Sequence, residues 1–463
     1  MLSPKPREVE DSSINKVDRS RIKELMAFET KRFEREHPKS KRMFKRAKKS
    51  LLAGVPMNWM VRWAGSYPIF AKEAGGAHIT DVDGRKYLDL CLGDTGSMFG
   101  HSPKPIVDAV KRQISKGITM MLPTEDSVWV GEELSRRFGL PYWQIAMTAT
   151  DANRFSIRLA REVTRRPKIL AVNGCYHGTV DETLVNLVKG RTVPRGGNIG
   201  PPVDPAVTTR LVEFNDVDML EEALAHEDVA CALFEPAMTN RGIILPEKGY
   251  HDALRKLTRK YGTLLIIDET HTICCGIGGY TAAYKLKPDI LTMGKPLASG
   301  VPVAAFGISQ FVADRVMDRI LSDGTDESGL GGTLAGNALA VSAMRATLEK
   351  VITKRNFDKM MPLAERFEKG IHDVIEETGI PWHVVRLGVR IEYHNTPTPP
   401  RNGGEYDASK DYELENLMHL MALNRGILMT PFHNMALISP YTTANDVDFH
   451  TRVFRESVGL LLG

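Results

Sequence analysis

Short apolar runs alternate with amphipathic helical patterns between about residues 105 and 310. The runs 168–172, 229–234 and 264–267 are short and almost uniformly apolar, which predicts buried strands. Residues 251–261 instead place their apolar side chains at helical spacing. Strands that alternate with helices favour an α/β fold with a mainly parallel sheet covered on both faces. In such a sheet, ligands bind beyond the carboxyl ends of the strands.

The chain before this region has a different pattern. Residues 1–50 are polar and charged, with the spacing of helices. Residues 75–90 alternate polar and apolar positions around Asp83-Gly84, a dipeptide typical of tight hairpin turns. We therefore predict helices followed by a two-stranded hairpin.

After about residue 340 the alternation changes again. A long helix is predicted at roughly 337–352, followed by helices and shorter strands at 386–393 and 427–438. The Pro- and Gly-rich residues 396–404 predict a loop. The sequence thus predicts three parts. They are an N-terminal segment of helices and hairpin that joins the small domain or a dimer interface (1–86), a large domain (87–340) and a smaller α+β domain (341–463).

Composition places the chain among globular proteins, with 42% hydrophobic and 25% charged residues. No apolar run reaches membrane-spanning length, and the first thirty residues carry no apolar signal core. We therefore expect a cytoplasmic protein with no membrane partner. The five cysteines are scattered and form no CxxC pair, so neither a disulfide framework nor a metal site is expected.

The positive charge is concentrated near the N-terminus. Residues 31–50 contain ten Lys or Arg against Glu34 and Glu36. A nucleic-acid arm would have this charge, but apolar residues interrupt it at helical spacing: Phe33, Met43, Phe44, Leu51 and Leu52. We predict helices that lie on the protein body with the cationic face in water, and no nucleic-acid partner.

Two of the apolar runs end in groups of opposite charge. Residues 264–269 end in Asp268-Glu269, and residues 289–295 end in Lys295. Pyridoxal phosphate chemistry needs such a pair, because the amine forms a Schiff base with the cofactor aldehyde and the carboxylate keeps the pyridine nitrogen protonated. Asp268 alone would more simply cap a loop, and Lys295 alone would be a surface amine. The occurrence of both residues at neighbouring strand ends favours a pyridoxal phosphate site over these two structural roles.

Other polar groups at strand ends and helix starts could complete such a site. They are Thr148, Ala149 and Thr150 at a helix start, Tyr176 after the run 168–172, Glu235 and Asn240 after the run 229–234, and Thr333 in a Gly-rich turn. The helix start could bind a phosphate, the tyrosine could stack on a pyridine ring, and the amide could reach its phenolic oxygen. Each has a structural alternative as an N-cap, a packing residue or a turn, so the interpretation depends on their occurring together.

These pieces, in this order along the chain, resemble the class III aminotransferases, which are fold type I pyridoxal-phosphate enzymes. The resemblance extends from about Met43 to the C-terminus and is most specific at 174–178, Glu235-Pro236, the Asp268 strand and Gly294-Lys295. The similar branch contains glutamate-1-semialdehyde aminomutase and the β-amino-acid and amine transaminases. The resemblance implies a large mainly parallel-sheet domain with a smaller α+β domain.

The resemblance also implies a role for each candidate residue. Lys295 would be the Schiff-base lysine, Asp268 the partner of the pyridine nitrogen, Tyr176 and Thr270 the residues on the two ring faces, and Ala149 and Thr150 the phosphate ligands. Thr333 would reach the phosphate of the neighbouring subunit, which implies a homodimer with shared active sites. Two departures are present. Thr148-Ala149-Thr150-Asp151 replaces the usual Ser-Gly-Thr-Glu, and Thr270, followed by His271, replaces the usual valine.

The predicted reaction moves an amino group from a hydrophobic amine to a keto acid such as pyruvate, in two half-reactions. By the resemblance, large apolar segments that include Trp59 and Met98 would line the substrate pocket. Arg390 is the candidate for the acceptor carboxylate, with Arg386 and Arg401 as alternatives. The other possibilities are an aminomutase of the glutamate-1-semialdehyde type, a β-amino-acid aminotransferase, and a catalytically silent binding protein with this fold.

Overall fold

The computed structural model describes residues 17–201, 203–321 and 329–463. The prediction of helices for residues 1–16 lies outside this part. The chain forms two compact units. The first unit contains the described residues up to Pro103, together with Asp358–Pro399 and Ser409–Gly463. The second unit contains Lys104–Phe357 and Pro400–Ala408. The chain thus passes from one unit to the other after residues 103 and 357. The domain boundaries predicted from the sequence were at residues 86 and 340.

The described residues contain the following α-helices: α1 (Arg19–Glu36), α2 (Pro38–Ala47), α3 (Lys104–Ile114), α4 (Glu125–Phe138), α5 (Ala149–Thr164), α6 (Val217–Ala225), α7 (Tyr250–Lys260), α8 (Gly279–Ala283), α9 (Gln310–Leu321), α10 (Ala338–Lys350), α11 (Lys354–Thr378), α12 (Gly403–Ser409), α13 (Tyr412–Asn424) and α14 (Ala444–Leu462). In this part of the chain, no helix is both long and apolar enough to cross a lipid bilayer.

The strands are short, as is usual for sheets covered by helices. They are β1 (Ala71–Gly75), β2 (His78–Asp81), β3 (Lys86–Asp89), β4 (Tyr142–Ala146), β5 (Lys168–Val172), β6 (Val185–Val188), β7 (Arg191–Pro194), β8 (Thr209–Val212), β9 (Val229–Phe234), β10 (Leu264–Asp268), β11 (Ile290–Met293), β12 (Ala304–Ile308), β13 (His383–Leu387), β14 (Arg390–His394), β15 (Ile427–Leu428) and β16 (Met435–Leu437).

The second unit is built on a seven-stranded sheet in the order β4-β12-β11-β10-β9-β5-β8. The pairs β8–β5, β5–β9, β9–β10 and β10–β11 are parallel, and β12 runs antiparallel to both of its neighbours. The predicted mainly parallel sheet is therefore confirmed. The runs predicted as strands from sequence are β5, β9 and β10, and the pattern at 251–261 is α7.

Helices cover both faces of this sheet. Successive strand residues alternate between two buried clusters, so that Ile266 packs in one and Ile267 in the other. The first cluster also contains apolar residues of α5 and α9, and the second contains residues of α6 and α7. A strand with apolar residues on both faces reads as a continuous apolar run, which explains the sequence pattern.

The first unit contains a sheet in the order β1-β2-β3-β15 and a second in the order β13-β14-β16. The hairpin predicted at 75–90 corresponds to β2 and β3, which pair antiparallel around Gly84. Two strand predictions need correction. Residues 386–393 belong to two strands, because Gly388 adopts a φ of 59° and turns the chain between β13 and β14. Residues 427–438 likewise form β15 and β16, separated by an irregular segment.

The basic segment is helical, but only part of its apolar side is covered. Phe33 is fully buried, together with Ile22 and Leu25 on the same face of α1. In contrast, Met43 and Leu52 are exposed by 42% and 91%. The expectation that the apolar residues of this basic segment and of the adjoining Leu51-Leu52 lie on the protein body is therefore wrong for Met43 and Leu52 in the single chain.

Candidate active site

Asp268 and Lys295 lie at the same edge of the seven-stranded sheet. Strands β10 and β11 pair in parallel, with Asp268 directly opposite Thr292. Asp268 is the last residue of β10, and Lys295 follows the end of β11 by two residues. Because the two strands are adjacent and parallel, both side chains begin at the carboxyl-end edge, as the sequence predicts.

The Asp268 carboxylate is buried and accepts hydrogen bonds on both oxygens. Oδ2 lies 2.9 Å from His177 Nδ1 and 3.0 Å from Asn153 Nδ2. Oδ1 accepts from the Thr270 backbone N–H at 3.0 Å. The carboxylate is only 4% exposed, so its orientation is set by these donors and not by solvent. Since a carboxylate has no proton to give, His177 Nδ1 carries the proton of that contact.

The environment keeps Asp268 ionised. Burial by itself would raise its pKa, but the hydrogen bond and electrostatic interaction with His177, together with the bonds from Thr270 and Asn153, lower the pKa from 3.8 to about 2. A buried group that stays anionic near neutral pH can hold a cationic ring nitrogen, which is the electrostatic requirement for the predicted role of Asp268.

Asn153 joins three separate segments, and the sequence analysis gave it no role. Its amide nitrogen donates to Asp268 and to the His177 carbonyl, and its oxygen accepts from Thr292 Oγ1 at 2.6 Å. Asn153 is fully buried inside α5, where asparagine is an unfavourable helix residue. That mismatch is the sequence signal that could have identified it. No role was predicted for His177, since its partner Asp268 lies 91 residues away along the chain.

Lys295 opens a tight turn directly after β11. Its backbone φ is 39°, an uncommon value for a residue with a Cβ, and Nζ lies 2.7 Å from His271 Nε2. The preceding Gly294 packs on the start of α5, because a Cβ at Gly294 would lie 3.0 Å from Ala149 Cβ and 3.2 Å from Ala149 N. The lysine turn and the predicted phosphate-binding helix start are therefore neighbours.

The start of α5 has the features of an anion site. Thr148 is the N-cap, and its side chain and that of Asp151 form a reciprocal capping box. The hydroxyl of Thr148 is hydrogen-bonded to Asp151. The backbone amides of the first helical residues, Ala149 and Thr150, are therefore the groups that a phosphate could bind. Gly178 lies against this turn, and a Cβ on it would meet Thr150 Oγ1 at 2.1 Å and Thr150 Cα at 2.9 Å.

Glu235 organises the turn after β9. It accepts a hydrogen bond from Thr239 Oγ1 and one from Asn240 Nδ2 at 3.1 Å. Burial raises the pKa of Glu235, although nearby His177 opposes the shift. Tyr176 is half-buried and directly precedes His177, the partner of Asp268. Tyr176, Glu235 and Asn240 thus lie in the second unit with Asp268. Their contacts with a cofactor ring stay a prediction.

Two buried polar atoms near Asp268 fit a bound polar ring. Thr270 Oγ1 and His177 Nε2 have no hydrogen-bond partner among the described residues. Buried polar atoms are normally paired, so such atoms in a site indicate a missing ligand or water. The residues present therefore fit pyridoxal phosphate: an anionic carboxylate for its ring nitrogen, a helix start for its phosphate and an amine for its aldehyde.

Thr333 lies in the second unit, on an exposed glycine-rich turn. It lines a cavity of about 300 Å³ with Met147, Asp151, Phe155 and the neighbouring residues 331–335. Its predicted contact with a second subunit is not tested in a single chain.

The predicted substrate residues lie in the first unit, whereas Lys295 lies in the second. Their place in a substrate pocket with Lys295 therefore stays a prediction. Trp59 packs edge-on against Phe432, with ring centroids 5.6 Å apart. Met98 is fully buried. Arg390 is also fully buried, with Nη1 3.5 Å from Thr95 Oγ1.

The two alternative arginines form closer salt bridges than the one at 4.0 Å between Arg390 Nη1 and Asp94 Oδ1. Arg386 Nε lies 2.6 Å from Glu368 Oε2. Arg401 Nε lies 2.6 Å from Glu247 Oε1, and both of those side chains are at least half exposed. Of the three candidates for the carboxylate, Arg390 is the one held in a buried environment.

Comparison with known proteins identifies the family. The class III aminotransferase family model matches residues 59–452. The chain belongs to the class III aminotransferases. This membership confirms the resemblance found in the sequence, the fold type I architecture, the assignment as an enzyme and pyridoxal phosphate as its cofactor. It also makes a catalytically silent binding protein an unnecessary hypothesis.

Similar proteins of known name cover nearly the whole chain. Glutamate-1-semialdehyde 2,1-aminomutase 1 of Cenarchaeum symbiosum is 31% identical over 426 residues, which are 91% of this chain and 99% of that protein. A crystal structure of a glutamate-1-semialdehyde aminomutase from Pseudomonas aeruginosa has 49% identity and a TM-score of 0.95, covering 96% of this chain and 100% of that one. An omega-transaminase from Sphaerobacter thermophilus has 27% identity and a TM-score of 0.82, covering 92% and 98%.

Proposed function

We propose that the protein is an aminomutase, which exchanges an amine and a carbonyl within one amino-aldehyde substrate. The observation that carries this proposal is the similarity to proteins named glutamate-1-semialdehyde aminomutase, one of them 49% identical over the full length of its chain. This was the alternative in the sequence analysis. The main prediction there, a transaminase of hydrophobic amines, becomes the second candidate.

The residues of the second unit would divide the work of holding the cofactor. Lys295 would carry it covalently, Asp268 would hold the ring nitrogen, and the first amides of α5 would bind the phosphate. Tyr176 and Thr270 would flank the ring. When bound, pyridoxal phosphate withdraws electrons from the carbon that carries the substrate amine.

Lys295 is the proposed base of the reaction. When it is not covalently engaged, Nζ would take the proton from the substrate carbon that bears the amine and would deliver it to the adjacent cofactor carbon. Asp268 keeps its negative charge throughout, because three hydrogen bonds stabilise the carboxylate. Its task is to keep the ring nitrogen cationic, which lowers the barrier to removing the carbon-bound proton.

Intramolecular exchange differs from transamination in the number of substrates. An aminomutase substrate carries both the amine and the carbonyl, so each molecule supplies the donor for one half-reaction and the acceptor for the other. A transaminase needs a separate keto acid. The second candidate is supported by the likeness to the omega-transaminase and by apolar, partly exposed residues next to Trp59: Met57, Met60 and Val61.

The deciding experiment supplies one substrate at a time to the purified holoenzyme. Glutamate-1-semialdehyde alone should be converted to the isomer with the amine on carbon 1, with no requirement for a keto acid. A panel of hydrophobic amines with pyruvate or 2-oxoglutarate should give little turnover. The reverse result, keto-acid-dependent turnover of hydrophobic amines and none of the amino-aldehyde, would establish the second candidate. The Lys295→Ala variant is the negative control for both arms.

We also propose a cytoplasmic homodimer with shared active sites, in which Thr333 of one subunit serves the phosphate of the other. The support is the implication of the family resemblance, together with the exposed position of Thr333 on its glycine-rich turn.

A further inference from the structure

The side chain of His271 is in hydrogen-bond contact with the Lys295 amine. Its Nε2 lies 2.7 Å from Lys295 Nζ, and the residue is only 5% exposed. His271 directly follows Thr270, where the sequence departs from the family pattern, and no role was predicted for it. A lysine side chain has four rotatable bonds, so a fixed partner for its amine strongly restricts where that amine can be.

The loop that carries His271 is held rigidly by Glu269. The Glu269 carboxylate is fully buried and accepts from Thr272 Oγ1 at 2.5 Å, from the Tyr280 N–H at 3.2 Å and from the Thr281 N–H. Gly279 closes over this carboxylate, and a Cβ there would lie 2.5 Å from Glu269 Oε2. The backbone on both sides of His271 is therefore fixed by one buried anchor at the end of β10.

We propose that His271 is a positioning residue for Lys295: its Nε2 accepts a hydrogen bond from Nζ and holds the amine where it meets the cofactor aldehyde. This arrangement requires the proton of the neutral imidazole to be on Nδ1. The hydrogen bond acts whenever Lys295 is not covalently engaged, which is before cofactor attachment and again after the substrate has displaced the lysine. The inference rests on the cofactor assignment and not on the identity of the substrate.

Two substitutions separate a hydrogen-bond role from a role in packing. A glutamine side chain places its terminal amide near the position of the imidazole Nε2, whereas an asparagine side chain reaches only as far as Nδ1. Both are polar, and they differ by one methylene group. His271→Gln should therefore keep the contact with Nζ, and His271→Asn should lose it.

The assay measures covalent cofactor attachment and contains no substrate. Apoprotein is mixed with pyridoxal phosphate, the formation of the lysine linkage is followed by its absorbance, and borohydride reduction with peptide mass analysis locates the adduct on Lys295. His271→Asn should attach the cofactor about tenfold more slowly, because the hydrogen bond that positions the Lys295 amine is lost. His271→Gln should stay within about threefold of the wild-type rate. The exposed His226→Asn variant is the control and should match the wild type.

Two outcomes would overturn the proposal. In one, His271→Asn attaches the cofactor at the wild-type rate. In the other, His271→Gln is as slow as His271→Asn, although both apoproteins unfold at the wild-type temperature. An error in the proposed substrate would leave all of these rates unchanged, so the two proposals fail separately.

Discussion

Replacing Asp268 with asparagine tests the centre of the proposed site, because it removes one charge and keeps the shape. In the native protein, His177 Nδ1 and Asn153 Nδ2 donate to one carboxylate oxygen, and the Thr270 N–H donates to the other. An asparagine offers a single acceptor oxygen. At least one of the three donors must therefore face an NH₂ group or lose its partner.

The expected loss of stability follows from these contacts. A buried donor left without an acceptor costs about 1–3 kcal/mol, so the unfolding free energy of the Asp268→Asn apoprotein should fall by roughly that amount. The pH dependence gives a second check. The pKa of Asp268 is lowered from 3.8 to about 2, so its stabilising contribution is present above about pH 4 and is lost as the pH falls toward 2. The stability difference between wild type and variant should narrow over that interval.

The substitution should also slow catalysis, separately from its effect on stability. An amide carries no charge and cannot keep the ring nitrogen cationic. We therefore expect proton removal by Lys295 to slow by at least about a hundredfold. The measurement is a single-turnover rate. Substrate amine is added to the holoenzyme, and the loss of the absorbance of the lysine-linked cofactor is followed with time. Single turnover separates this step from cofactor affinity, which is measured independently by titration.

Asp289 provides a matched control at the opposite edge of the same sheet. It directly precedes β11, and its Oδ2 accepts from Arg255 Nη1 at 2.7 Å and from the Leu265 N–H at 2.8 Å. Asp289→Asn should lower stability but leave the single-turnover rate of the folded protein unchanged. If Asp268→Asn retained the wild-type rate, or if Asp289→Asn lost as much rate, the role given to Asp268 would be refuted.

Three further predictions concern the cofactor. Gly178→Ala should weaken pyridoxal phosphate binding roughly tenfold, because the new Cβ overlaps Thr150 at the helix start. Gly190→Ala, at a φ of 74° with no atom within 4 Å of the new Cβ, should leave cofactor affinity unchanged in the same titration. Lys295→Ala should give no borohydride-stable adduct with the cofactor, and an adduct of normal yield would contradict its covalent role. Sedimentation should give a mass of twice 51.5 kDa, and Thr333→Ala should weaken cofactor binding without changing that mass.

Asp268 and Lys295 could be predicted from sequence because their signal is local. Each is a charged residue at the end of a short apolar run, and that pattern survives in any parallel sheet. The helix start at Thr148 is similarly local, since a capping residue followed three positions later by an acid marks an N-terminus. The family resemblance then connected these separate signals.

Contacts between distant segments could not be predicted in this way. Asn153 and His177 meet Asp268 across 115 and 91 residues, and no local pattern in a single sequence joins them. Similarly, the division of 386–393 into two strands depends on Gly388 adopting a positive φ. A segment of alternating polar and apolar residues interrupted by one glycine is compatible with a continuous strand as well as with a hairpin.

The departure at Thr270 and His271 lies at the end of β10, where the contacts of each residue give it a physical interpretation. Four consecutive residues there have different contacts. Asp268 accepts three hydrogen bonds, Glu269 anchors the following loop, Thr270 has a buried hydroxyl with no described partner, and His271 contacts Lys295. Asp268 and Glu269 match the family, whereas Thr270 is the residue proposed to flank the ring and His271 contacts the Lys295 amine. Changes at Thr270 would therefore alter the electronic environment of the cofactor ring, and changes at His271 would alter how fast Lys295 re-forms its bond to the cofactor. Neither change would alter the type of reaction.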